Sequence, residues 1–153
     1  MIARALACLL LASAPAVGQS AFLVRDINTT RYLTGPYGGV FRDLHAAGDK
    51  LFFLGPVNGG GEGEVWVSDG TALGTEALRD VCPGVCDDYQ DFLGNLGNLM
   101  LWLSSGHGSD QLWRSDGTRS GTFALTDAGV DVGSPLGAIF HGDYFFNACD
   151  GGT

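Results

Sequence analysis

Val65-Trp66-Val67-Ser68-Asp69-Gly70-Thr71-Ala72-Leu73-Gly74-Thr75 recurs downstream as Leu112-Trp113-Arg114-Ser115-Asp116-Gly117-Thr118-Arg119-Ser120-Gly121-Thr122. Aligning Asp69 with Asp116 sets a period of 47 residues, and Trp, Ser, Asp, Gly, Thr, Gly and Thr stand in register in the two copies. A repeat of this length, made of short apolar runs and glycine-rich turns, falls in the range of propeller blades and related arrays. Units of that kind bury their apolar surface against their neighbours rather than in one central core. The repeat therefore predicts an all-β chain, an incomplete β-propeller-like array of four-stranded antiparallel blades.

Working outward from the motif, repeat 1 (residues 40–81) reads as strands around 40–45, 50–54, 64–67 and 76–81. Repeat 2 (residues 91–128) reads as strands at 91–96, 99–103, 111–114 and 122–127. Gly48-Asp49 and Gly97-Asn98 supply the turns between the first two strands, and Asp69-Gly70 and Asp116-Gly117 those between the last two. Residues 82–90 form a cysteine-bearing loop between the repeats. A third repeat begins at 129–153 with a strand at 136–141, a turn at Gly142-Asp143 and a strand at 144–147, then runs into a loop from Ala148; it reads as truncated, and the chain as a fragment of a longer array. Ahead of repeat 1, residues 19–39 supply a strand over 21–28 and a linker. Within that strand Leu23-Val24-Arg25-Asp26 matches Ala77-Leu78-Arg79-Asp80, which follows the first motif, so it reads as the last strand of a blade, as in a propeller whose terminal strand closes the ring.

Each repeated residue has a bland and a chemical reading. Trp66 and Trp113 either seal neighbouring sheets or offer an aromatic platform to a sugar; the apolar pattern around both favours sealing. Asp69, Gly70 and Thr71, like Asp116, Gly117 and Thr118, could contribute oxygens to a calcium ion. A hard cation needs six to eight such ligands, however, and each loop has a single Asp. Turn chemistry fits better: Asp bonds to the turn's own backbone, Gly adopts positive φ, and Thr re-enters a strand. His45, His107 and His141 fall in different repeats and form no triad with a nucleophile and an acid. No phosphate loop, nucleophile elbow or paired-cysteine zinc pattern occurs, so no catalytic or metal residue and no cofactor is expected.

The N-terminal segment and the use of cysteine predict a chain exported from the cytoplasm. Residues 1–18 have a short positive start at Arg4, an apolar run, and small residues at Ala16-Val17-Gly18, the pattern of a signal peptide cleaved after Gly18. The run is too short to span a bilayer, so no membrane span is expected after cleavage. The formal charge of −9, from 8 Lys+Arg against 17 Asp+Glu, disfavours nucleic acid as a partner because phosphate binding requires a basic surface. A Pro83-Gly84 turn separates Cys82 from Cys86, which makes a disulfide between them the expected arrangement in an oxidising compartment. Cys149 is then the odd thiol.

These residues resemble the bacterial ELWxxDGT repeat family, sometimes labelled hyalin-like. The family pattern is Glu-Leu-Trp, two variable positions and Asp-Gly-Thr, followed by Gly-Thr and a Leu-Val-Lys-Asp-Ile-like strand. Here it stands as Glu64-Val65-Trp66 with Asp69-Gly70-Thr71, and as Gln111-Leu112-Trp113 with Asp116-Gly117-Thr118. The departures, Val65 for Leu and Gln111 for Glu, are mild for packing positions. The resemblance implies a secreted or surface repeat protein without established chemistry. The expectation is a non-catalytic exported module that binds a macromolecule or serves cell-surface structure, its partner being that macromolecule or further blades of the same protein. The alternatives are the N-terminal part of a secreted propeller enzyme whose site lies in other blades, and a calcium-stabilised surface repeat.

Overall fold

The computed structural model describes residues 23–25, 41–55, 63–81, 89–106, 109–127, 130–132 and 137–150. They contain strands and turns and no helix. Strands β1 (Arg42–Ala47), β2 (Lys50–Gly55), β3 (Glu64–Ser68) and β4 (Glu76–Ala77) form one four-stranded sheet in sequential order. Strands β5 (Tyr89–Leu96), β6 (Leu99–Gly106), β7 (Ser109–Ser115) and β8 (Phe123–Ala124) form a second with the same order. Every pairing in both is antiparallel. Four strands per repeat thus agree with the sequence. Gly48 and Gly97 make the first turns at φ 62 and 59.

The register refines the period. Phe53 faces Trp66 across the first sheet, and Trp102 faces Trp113 across the second. The second hairpins follow the 47-residue spacing of the motif, whereas the first hairpins are 49 apart, because the β2–β3 connection of repeat 1 is longer by two residues. Both first strands carry a bulge at the same place, opposite Phe53 in one sheet and beside the Phe92–Trp102 pair in the other. The fourth strands are shorter than the residues 76–81 and 122–127 predicted for them. Beyond the ladder the chain stays tethered by single bonds from Leu78 N to Val65 O at 2.9 Å and from Leu125 N to Leu112 O at 2.7 Å.

Alternation along the strands gives each sheet two unlike faces. In the first, Phe52, Leu54, Val65 and Val67 point one way, and Phe53 and Trp66 the other. In the second, Met100, Trp102 and Trp113 share a face opposite Leu103 and Leu112. One buried cluster joins Phe52, Leu54, Val65, Val67 and Leu78 to Met100, Trp102 and Trp113. The Trp102–Trp113 face of the second sheet therefore packs on the face of the first that carries Phe52, Leu54, Val65 and Val67. Because β2, β3 and β6 are covered on both sides, their sequences run apolar without alternating: Leu51-Phe52-Phe53-Leu54 and Leu99-Met100-Leu101-Trp102-Leu103.

The third segment continues this order. β10 (Ala138–Phe140) and β11 (Asp143–Phe145) form a hairpin whose Tyr144 packs, with Val132, against Leu103 and Leu112 on the remaining face of the second sheet. Its turn falls at His141-Gly142, with φ 51 and 85, one residue before the predicted Gly142-Asp143. Two further expectations need correction. Cys149–Asp150, predicted as loop, forms β12 antiparallel to β9 (Val130–Asp131), so the two ends of the third segment pair with each other. Residues 23–25 join no ladder, although a strand was predicted over 21–28; their attachment to the first sheet is through a side chain, as described below. No closed sheet occurs among the described residues.

Candidate functional site

The motif loops are the sites the sequence points to, and their geometry is the same twice. In the first, Asp69 Oδ1 accepts from Thr71 N at 2.9 Å and from Thr71 Oγ1 at 2.7 Å. Thr71 Oγ1 in turn accepts from Gly74 N at 3.0 Å. Thr75 Oγ1 donates to Thr71 O at 2.6 Å and lies 2.7 Å from Ser68 Oγ. Since the Thr75 proton is used on that carbonyl, Ser68 must be the donor within the hydroxyl pair. Ser68 Oγ is left to accept from Gly70 N at 3.0 Å. In the second loop Asp116, Thr118, Gly121, Thr122, Ser115 and Gly117 make the corresponding six contacts at 2.6–2.9 Å.

Two glycines are sterically required in each loop. Gly70 and Gly117 turn the chain at φ 86 and 84, where side chains are strained. Gly74 and Gly121 are needed for a different reason. A Cβ on either would come within 2.1 Å of the Asp69 or Asp116 carboxylate, so the absent side chain is the space the carboxylate occupies.

The hydrogen bonds from the Thr71 hydroxyl and then the Thr71 amide hold the Asp69 carboxyl below its ordinary value, and Thr118 does the same for Asp116. Both carboxylates thus stay ionised with Oδ1 already engaged inside the loop. Among the described residues no group of three or more His, Cys, Asp or Glu is placed to hold a metal ion.

Trp113 lies between the two sheets, stacked on Trp102 with centroids 6.1 Å apart and planes 20° from parallel. Trp66 stacks in the same way on Phe53, at 6.3 Å and 17°, and Phe41 meets Phe53 edge-on at 5.9 Å. The indole N–H groups of Trp66, Trp102 and Trp113 are buried without a hydrogen-bond partner among the described residues. Neither motif Trp presents an open ring face of the kind a sugar would stack on.

Around the loops lie cations that bridge repeats, and these were not read from the sequence as a group. Lys50 Nζ donates to Asp116 O at 2.8 Å, its chain lying over Gly117. Arg79 donates to Thr122 O at 3.4 Å, with its guanidinium 5.6 Å from the Trp113 ring centre. Arg119 reaches back to Ala77 O at 3.2 Å and to Glu76 at 3.7 Å. Arg25 donates to Thr75 O and, at 3.4 Å, to Ala72 O. Thr75 is the counterpart of Thr122, so Arg25 grips the first loop as Arg79 grips the second. The shared Leu-x-Arg-Asp or Leu-Arg-Asp wording was visible in the sequence; that its Arg reaches the next loop was not.

The remaining candidates do not gather. Cys82 and Cys86 lie outside the described residues, and so does His107. Cys149 is an exposed free thiol. His45 leans on Phe92, with ring centres 5.1 Å apart, and His141 on Phe140 at 4.1 Å, in separate parts of the molecule. No described helix is long and apolar enough to cross a membrane. No protein-family model, curated protein or solved structure matches the chain.

Proposed function

We propose that this is an exported, non-catalytic repeat protein of the ELWxxDGT type, whose sheets stack in the manner of propeller blades to present a binding or structural surface. The observation that carries the reading is that the repeated motif is consumed by assembly. Its Asp, Ser and Thr groups bond to one another within the loop, its second Trp lies between sheets, and the cations beside it join one repeat to the next. A catalytic loop would leave a nucleophile or base facing a substrate space.

The grip of Arg25 on the first loop supports the propeller arrangement in particular. On the second loop the same bond comes from the preceding repeat, so residues 23–25 stand where the last strand of a blade preceding repeat 1 would end. The charge of −9 favours a partner other than nucleic acid.

Export is tested by expressing the full chain in a bacterial host and measuring the intact mass of the protein in each cell fraction. The expected species begins at Gln19 and is found outside the cytoplasm. A full-length chain retained in the cytoplasm would overturn the export reading. For the mature protein, incubation with isolated cell envelopes and surface polysaccharide should show binding that survives Cys149→Ser and His45→Ala. Loss of binding in either variant would point to chemistry rather than to a structural surface.

A further inference from the structure

Each motif contains an Asp-Gly bond, the aspartyl dipeptide most prone to a backbone rearrangement. The glycine amide nitrogen attacks the aspartyl Cγ, forms an N–Cγ bond and gives up its proton, while the carboxyl hydroxyl leaves; the two depart as water. The resulting succinimide takes water back at either carbonyl and opens to aspartate or to isoaspartate, which carries an extra methylene in the backbone. Glycine permits this because it offers no side chain to block the approach. The turn needs glycine all the same, for its positive φ.

The loop opposes each requirement of that reaction. The attacking nitrogen is turned away: Gly70 N–H points at Ser68 Oγ at 3.0 Å, and Gly117 N–H at Ser115 Oγ at 2.9 Å. The electrophile is pinned, since Thr71 N and Oγ1 both hold Asp69 Oδ1, and Thr118 holds Asp116 in the same way. The carboxylate also lies close against the Gly74 or Gly121 backbone, in the space a Cβ there would occupy. The rearrangement needs a leaving hydroxyl, which only the protonated acid supplies well, and the same hydrogen bonds keep the carboxyl ionised.

We propose that the Ser-Asp-Gly-Thr-x-x-Gly-Thr loop protects its own Asp-Gly bond from succinimide formation, with Thr71 and Thr118 as the restraining residues and Ser68 and Ser115 diverting the amides. The repeat can then use a tight glycine turn without isomerising at it. This assignment stands on the loop geometry and does not depend on the export reading.

The full chain, folded and in denaturing urea, is aged at mildly acidic pH, and isoaspartate is measured at Asp69 and Asp116 by peptide mapping. Formation at both sites should be slower in the folded chain by at least about tenfold, the factor set by a modest rise in barrier. Thr71→Ala should raise the rate at Asp69 and leave Asp116 slow, so the second loop of the same molecule reports that the fold persists. Thr118→Ala should do the converse, and Thr71→Ser, which keeps the hydroxyl, should restore protection. Equal rates in folded and unfolded chains would overturn the proposal. So would a Thr71→Ala chain that leaves Asp69 at its original rate, or a Thr71→Ser chain as reactive as Thr71→Ala.

Discussion

The two sheets share a loop and differ in what lies against them. Their motif loops make the same hydrogen bonds to within about a tenth of an ångström, yet Trp113 is packed between two described sheets and under Arg79, whereas Trp66 stacks on Phe53, which Phe41 meets edge-on. Loop geometry is therefore written within eight consecutive residues, while the environment of a sheet face is set by whichever segment docks on it. The inter-repeat cations follow the same division. Arg79 reaches the second loop, but the position that follows the second motif holds Thr126, whose hydroxyl instead accepts from Leu112 N in its own sheet at 3.0 Å.

Substitutions can break this comparison, beginning with the largest effect. Trp113→Ala should cost about 3–5 kcal/mol in denaturant unfolding, as truncation of a ring packed between sheets. Trp66→Ala should cost a comparable amount, since the residue is 9% exposed against 7% for Trp113; a much smaller cost would show that packing between two sheets, rather than burial alone, sets the loss. Gly74→Ala and Gly121→Ala should each cost about 1–3 kcal/mol by forcing out the carboxylate. The two values should agree, because the loops agree; a clear difference would mean that the neighbouring repeat shapes the loop. Arg79→Ala should cost about 0.5–1 kcal/mol for an exposed cation over a ring. The loss should grow little when Trp113→Ala is already present, the two being coupled.

The smallest effect concerns pH. Asp69 and Asp116 sit below their ordinary value of 3.8 when folded, so the folded chain binds fewer protons than the unfolded one as they titrate. Their contribution is present above that value and is lost as pH falls through the lower, folded one. Thermal unfolding should thus shift downward below about pH 4, and Asp69→Asn with Asp116→Asn should flatten that part of the profile. An unchanged slope would show that the carboxylates are not held as the geometry requires.

Much of this was legible in the residues. The doubled Trp-x-Ser-Asp-Gly-Thr stretch gave the strand order of both sheets, because turn glycines and apolar runs are local signals. The pairing of Phe53 with Trp66 was hidden by the two-residue difference between connections, which breaks a single-period alignment. The pairing of Cys149–Asp150 with Val130–Asp131 joins short segments nearly twenty residues apart and leaves no periodic trace. In the loop, Asp and Gly announced a turn, but the hydroxyl relay from Ser68 through Thr75 to Thr71 depends on contacts across seven residues. The reach of Arg25 and Arg79 depends on which sheet lies alongside.

One feature of the packing bears on how such a chain changes over generations. The Trp102–Trp113 face of the second sheet meets the Phe52–Val65 face of the first, and Tyr144 and Val132 meet the opposite face of the second, so the stack has a sense, like bricks with a stud on one side and a socket on the other. A duplicated repeat inserted in frame would meet a socket behind it and offer one ahead, with only the differences between sockets, such as Val67 in one and Arg114 in the other, to accommodate. Lengthening such a protein is then a matter of copying, and the difficulty lies only at the two ends.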